Sequence, residues 1–192
     1  PRRDTEPLEV DLTLGDFRLT GRLAGMTATG WVGYRLAKIK AADYLNLWLH
    51  HLALNAAAPE GAARQSHWVA EDQDILLDAV ENPEASLRGL LDLYWQGSRR
   101  LLPFFPKSAL AYVERLRKDK GNDPDKALWA AQRIWEGDEQ RAGSAEREDA
   151  YYQLAFGDTG PLDEEFTTLA ITIFGPLFEA MDANRSPSSG NR

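Results

Sequence analysis

The sequence predicts an α/β fold of the α+β kind: a small mixed sheet with flanking helices at one end, and a helical C-terminal half. Three observations carry this reading. Apolar residues recur at every second position over residues 8 to 39, the period of half-buried strands. At Ala41 the period lengthens to that of an amphipathic helix, and from Asn82 onward almost every segment keeps it. Prolines stand where helices begin, at Pro83, Pro106 and Pro124. Strands followed by a long run of helices is the α+β arrangement.

Each element follows in order. Leu8, Val10, Leu12 and Leu14 alternate with Glu9, Asp11 and Thr13, which makes a first strand. Gly15-Asp16 is then a two-residue hairpin turn, and Phe17, Leu19, Gly21 and Leu23 continue the alternation on a second strand. After a flexible turn from Gly25 to Gly30, residues Trp31 to Ile39 are expected as a third strand, completing an antiparallel meander. Tyr44, Leu45, Leu47, Trp48, Leu49 and Leu52 fit an apolar helix of about 14 residues, ended before Pro59 and Gly61. Ser66 to Ala70 returns to the sheet, and a crossover of this kind creates a parallel pair. The acidic piece Asp72 to Asp78 is expected as solvated or capping. A helix from Pro83 turns Leu87, Leu90, Leu91, Tyr94 and Trp95 inward. Helices follow from Pro106, with Leu110, Val113 and Leu116 inward, and from Asp123-Pro124, with Leu128, Trp129 and Trp135, to Gly137. Asp149 to Phe156 is a short helix and Glu164 to Met181 the last, with Pro176 as a kink. The expected boundaries are a linker over 1–7, one domain over 8–182 and a disordered tail over 183–192.

Composition narrows the function. No apolar run approaches the ~18 residues that a membrane span requires. With no Cys there are no disulfides, thiolate zinc sites or Cys-held iron–sulfur clusters, and a reducing, cytoplasmic setting is the expectation. The net charge of −8 opposes a nucleic-acid footprint over the whole surface but permits a local basic patch. Six Trp residues are present, and most are expected in the core.

A meander followed by a helix and another strand is the core of many metal-dependent DNA nucleases of the PD-(D/E)XK type. Such enzymes hold Mg²⁺ between an Asp of the second strand and an acid of the third, with a Lys two residues beyond that acid. Alternate residues of one strand face one side, so acid-x-Lys delivers both groups to one place, and Mg²⁺ demands oxygen ligands. Here Ala24 stands in the first metal position. Leu36 stands in the second, with Lys38 completing the spacing. Residues 17 to 42 hold no Asp or Glu at all, yet they hold Arg18, Arg22, Arg35, Lys38 and Lys40. Five cations without an anion cannot bind a divalent metal, though they could contact DNA phosphates. The Gly-rich stretch Gly21 to Gly33 lacks the Gly-Lys-Ser/Thr of a phosphate loop, and the three His residues suit neither metal nor base roles. No catalytic residue and no cofactor is therefore expected. Leu101-Leu102-Pro103-Phe104-Phe105-Pro106 reads as a rigid surface loop in which Phe104 or Phe105 could anchor a partner, unless both rings simply plug a gap between helices.

Several stretches together resemble the C-terminal domain of RecC, the gamma subunit of exodeoxyribonuclease V. They are Leu19-Thr20-Gly21-Arg22-Leu23, Leu45 to Leu52, Tyr94-Trp95-Gln96-Gly97, Leu102 to Ser108, Trp135-Glu136-Gly137, Tyr151 to Gly157 and Phe166 to Pro176. The resemblance runs over roughly residues 8 to 180. It implies a domain of an ATP-driven helicase–nuclease that processes double-strand breaks for recombination. Its partners would be RecD, RecB and the rest of RecC, and the domain itself would be an inactive nuclease fold that helps dock RecD. The lack of Cys disfavours the related AddB subunit, which holds an iron–sulfur cluster. Two readings stay open: a non-catalytic scaffold, or a DNA-binding module that contacts phosphates through the basic residues of segment 17 to 40.

Overall fold

A computed structural model describes residues 6–119, 121–137, 145–157 and 159–185. It is a mixed α/β molecule of the expected α+β kind, with two small sheets and six α-helices among the described residues. The chain forms two compact units, one of residues 1–95 and 177–192 and the other of residues 96–176.

The first unit begins with strands β1 (Leu8–Leu14) and β2 (Phe17–Leu23), paired antiparallel with Leu14 opposite Phe17. Gly15 takes φ +66°, the sign a two-residue II′ turn requires at its first position. The expected meander is not formed, because β2 pairs with β1 alone. At Gly25, where φ is +79°, the chain turns to begin a second sheet, fixed by the Val32 N–H donating to the Gly25 carbonyl at 3.0 Å. That sheet runs β3 (Met26–Thr27), β4 (Gly30–Tyr34), β5 (Ser66–Val69) and β6 (Asp74–Leu77), in chain order. β4 and β5 are parallel, as the intervening helix predicts, and the other neighbours are antiparallel.

Two corrections concern this sheet. The third strand ends at Tyr34 rather than Ile39. Past Arg35, whose N–H still donates to the Val69 carbonyl of β5 at 2.8 Å, the backbone bonds to the β5–β6 turn: the Ile39 N–H donates to Asp72 Oδ1 at 2.9 Å, and the Glu71 N–H to the Ala37 carbonyl at 3.1 Å. The acidic piece Asp72 to Asp78 does supply that cap, but its centre is strand β6, whose apolar Ile75 and Leu77 face inward.

Helix α1 (Ala41–Ala57) starts where the period changes, buries Tyr44, Leu47, Trp48, Leu52 and Leu54, and packs on β1 as well as on the inner face of the second sheet. The Lys40 N–H donates to Asp43 Oδ2 at 2.8 Å, which satisfies a donor at the helix start. One polar cluster is buried here. His51 Nδ1 lies 2.8 Å from Ser66 Oγ, and Asn55 Nδ2 donates to the His51 and Arg64 carbonyls at 2.8 and 3.0 Å. Burial pushes the His51 imidazole down to about 4 from its ordinary 6.5. Helix α2 (Pro83–Gly97) departs from expectation. Only Leu87 is buried, while Tyr94 is open and Trp95, half in solvent, meets Phe17 edge-to-face.

In the second unit, α3 (Pro106–Lys118) packs on α4 (Pro124–Glu136). The buried residues are Ser108, Ala109, Tyr112 and Val113 on one and Ala127, Ala131 and Trp135 on the other; Val113 is inward as expected, Leu110, Leu116 and Leu128 are half-buried, and Trp129 is exposed. Of the six Trp residues, Trp31, Trp48, Trp68 and Trp135 are core, as expected of most; Trp95 and Trp129 are not. The ring of Phe105 is the centre of this unit, with Trp135, Tyr152, Phe156 and Phe166 around it at 4.2 to 6.1 Å. A 3₁₀ turn (Glu146–Glu148) and α5 (Ala150–Phe156) complete the wall. Glu146 is buried because α3 starts after Phe105, whose side chain cannot cap. Its carboxylate accepts the N–H groups of Lys107 and Ser108 at 2.9 and 2.7 Å, and the Ser108 hydroxyl at 2.7 Å. Its charge adds to that of Asp149 and to burial itself, and together they raise the Tyr152 phenol, burial most.

Helix α6 (Glu164–Arg185) continues through Pro176 and beyond Met181. It supplies Phe166 and Phe174 to the second unit, and Phe178, against Tyr44, to the first. The expected tail is therefore helical at 183–185, and residues 186–192 lie outside the described residues, as do residues 1–5 of the expected linker.

Candidate functional site

The two positions that the sequence reading sets against a nuclease metal site, Ala24 and Leu36, carry no side-chain oxygen. Ala24 lies just after β2 and is exposed, with its carbonyl accepting from Trp31 Nε1 at 2.8 Å. Leu36 is 94 % exposed, and Leu36 to Lys38 lie in a bend rather than on a strand. The strand geometry that would aim both groups of an acid-x-Lys pair at one point is thus missing as well. Among the described residues no cluster of three or more His, Asp or Glu could hold a metal ion. The residues present do not fit the Mg²⁺ site of an active nuclease.

The five cations divide into two kinds. Arg18 makes two bonds with Asp11 across the hairpin, at 2.9 and 2.8 Å, and Arg22 meets Glu9, directly opposite on β1, at 2.5 Å. The Arg18 bond holds the Asp11 carboxyl below its ordinary value. Arg35 reaches Asp43 at 3.4 Å. The acids absent from residues 17 to 42 are therefore supplied by β1 and by the first turn of α1. Lys38 and Lys40 are exposed and have no carboxylate partner among the described residues. The basic segment is thus largely neutralised in place, and only its last two lysines are open to an anion.

Phe104 and Phe105 separate completely. Phe105 is 0 % exposed and belongs to the core of its own unit. Phe104 is half-buried, its ring 6.0 Å from that of Phe174, and keeps some surface, while Leu101 in the same loop is 59 % exposed.

One feature has no counterpart among the sequence expectations. In the β4–β5–β6 sheet, Trp31, Gly33, Ser66, Trp68, Ile75 and Leu77 are buried and face α1. Alternate residues face away from it. Val32, His67 and Leu76 stand opposite one another in one row, and Tyr34, Val69 and Asp74 in the next. Tyr34, Val69 and Leu76 are all exposed. His67 Nε2 bonds to Asp74 diagonally between the rows. A cleft of about 490 Å³ opens on this face beside Thr29, Val32, Gln65, His67, Asp74 and Leu76. The signal that could have found it was the four-residue run Asp74-Ile75-Leu76-Leu77, too short to be told from a loop by periodicity alone.

No curated protein matches the chain. Residues 1–117, which hold both sheets, α1, α2 and most of α3, match the family model of the RecC C-terminal domain. The RecC family belongs to the RecBCD exodeoxyribonuclease V complex and to its setting in DNA repair. The match spans more than half of the sequence, so the chain belongs to the RecC C-terminal domain family.

Proposed function

We propose that this chain is a non-catalytic, nuclease-like scaffold of a RecBCD-type helicase–nuclease, and that it helps dock RecD. The observation that carries the reading is the empty ligand set. No acid occurs between Asp16 and Asp43, and the residue at the second metal position, Leu36, stands in solvent. A fold relieved of metal chemistry is retained for its surfaces, and two surfaces remain available: Phe104 with its loop, and the open face of the second sheet. Calorimetric titration with Mn²⁺ and digestion of linear DNA test the first half. Neither heat of binding nor cleavage is expected, and EDTA-sensitive cleavage that co-purifies with the chain refutes it. Mixing the chain with purified RecD tests the second half, and no association at micromolar concentration overturns it.

A second reading, contact with DNA phosphates, is favoured by the exposed Lys38 and Lys40 alone, because Arg18, Arg22 and Arg35 already face carboxylates. It requires a salt-dependent gel shift that is lost in K38E/K40E. A shift unaffected by that double variant removes these lysines from the argument.

A further inference from the structure

We propose that the outer face of β4–β5–β6 is the seat of a basic amphipathic helix from a partner subunit, an inference that rests on the assembly reading above. The face is mostly apolar. Val32, Tyr34, Val69 and Leu76 fill four of its six positions, and the inner residues already occupy α1, so nothing within the first unit's sheet layer needs them. Three strands measure about 10 Å across, the diameter of one helix with its side chains. A helix is favoured over an added strand because Asn184 Nδ2 already donates to the Leu76 carbonyl at 2.7 Å, which takes a backbone acceptor of β6.

The rim decides the charge of the occupant. On or beside it lie Asp74 in the outer row, Asp78, which accepts from Gln65 Nε2 at 2.7 Å, and Glu71 and Asp72 of the β5–β6 turn, and from Gln65 to Asp78 the chain carries not one Lys or Arg. Arg64, just outside, directs its guanidinium to the Ala58 carbonyl at 3.2 Å. The loop bearing Lys38 touches the β5–β6 turn through the Glu71 N–H to Ala37 bond, and even with that lysine counted the rim stays negative. An apolar strip bordered by carboxylates matches a helix whose apolar stripe is flanked by Lys and Arg, and it repels nucleic acid and acidic peptides. One helix on six sheet residues buries less than the ~1,200 Å² of a stand-alone interface, so this contact works as part of a larger assembly.

The test uses the assembled RecB–RecC–RecD-type complex that contains this chain. A photocrosslinking benzoylphenylalanine replaces Val69, and the crosslinked segment is identified by mass spectrometry. The expected product is a partner-subunit helix with Lys or Arg on both sides of an apolar stripe. In parallel, L76D and D74K are expected to weaken assembly about tenfold, while Y151S/L154S on exposed α5 leaves it unchanged; thermal melts confirm that these exposed substitutions leave the fold intact. A crosslink to DNA, to a second copy of this chain or to a segment without that pattern overturns the inference. So does an intact complex with no crosslink and no effect of L76D or D74K, and in that case the assembly reading survives. Failure of the unmodified chain to assemble at all overturns the assembly reading and the inference with it.

Discussion

At Phe104 and Phe105, two identical side chains with adjacent numbers have opposite fates. Phe105 fills the centre of an aromatic cluster, so Phe105→Ala leaves a cavity and is expected to cost about 3–5 kcal/mol, read from denaturant unfolding. Phe104 keeps only part of its ring surface open. Phe104→Ala is expected to weaken RecD capture by about 1–3 kcal/mol while leaving the unfolding midpoint nearly unchanged. Loss of folding in Phe104→Ala would assign that ring to the core as well. His51 offers a pH test at the same scale. It is fully buried and neutral, and its folded value near 4 lies below its unfolded 6.5. The unfolded chain therefore takes up a proton first as pH falls, and the stability that His51 contributes is complete above pH 6.5 and lost between there and about pH 4. The size is about 3 kcal/mol at most. Replacement of His51 by Gln should flatten this part of the stability–pH curve, and a curve of unchanged slope would place the acid sensitivity elsewhere.

Among the elements, the start of α3 shows how a helix end is satisfied from far along the chain. Phe105 offers no cap, and Glu146, 38 residues beyond Ser108, supplies the acceptor in a buried place. Glu146→Ala leaves two N–H groups and a hydroxyl without partners and is expected to cost about 3 kcal/mol, whereas Glu146→Gln, which keeps an acceptor, costs less. Equal losses for both would mean that the shape of the side chain, and not its hydrogen bonds, holds the site. Gly30 is a second sensitive point. With φ at +125° and a Cβ position only 2.0 Å from the Gln65 carbonyl, Gly30→Ala is expected to disrupt the pairing of β4 with β5 and to lower the melting temperature by several degrees. The sequence made these elements partly legible. Helix starts were plain, because Pro83, Pro106 and Pro124 mark them without reference to anything distant. The hairpin was plain for the same reason, its turn being two adjacent residues. The end of β4, the strand β6 and the outward turn of Tyr94 were not legible. The end of β4 is decided by a partner remote in sequence, the β5–β6 turn; β6 pairs with β5 across a four-residue turn without Gly, Pro or Asn to mark it; and no described residue covers Tyr94. The candidate site divides the same way. Missing carboxylates can be counted in a sequence, but the pairing of Arg18 with Asp11 and the two-row outer face exist only once register is set.

For the whole molecule, one domain over residues 8–182 is proposed as a single cooperative folding unit although its contacts cluster in two places. The reason is the shared helix. α6 places Phe166 and Phe174 in one core and Leu177, Phe178 and Met181 in the other, so melting it removes buried apolar area from both. Unfolding followed by Trp fluorescence and by far-UV circular dichroism is expected to give coincident midpoints. Two separated transitions would show that the units fold independently.

The same helix sets an order of events while the chain is being made. The unit that contains the first strands stays unfinished until the residues after Pro176 emerge, because Phe178 covers Tyr44 and Asn184 closes the edge of β6. At ordinary elongation speeds the interval between Trp95 and Phe178 lasts on the order of ten seconds. For that time the apolar residues that α6 will cover stay exposed beside the ribosome, where a chaperone or a waiting partner subunit has its opportunity. The second unit, whose stretch 96–176 is continuous, carries no such debt to a later segment.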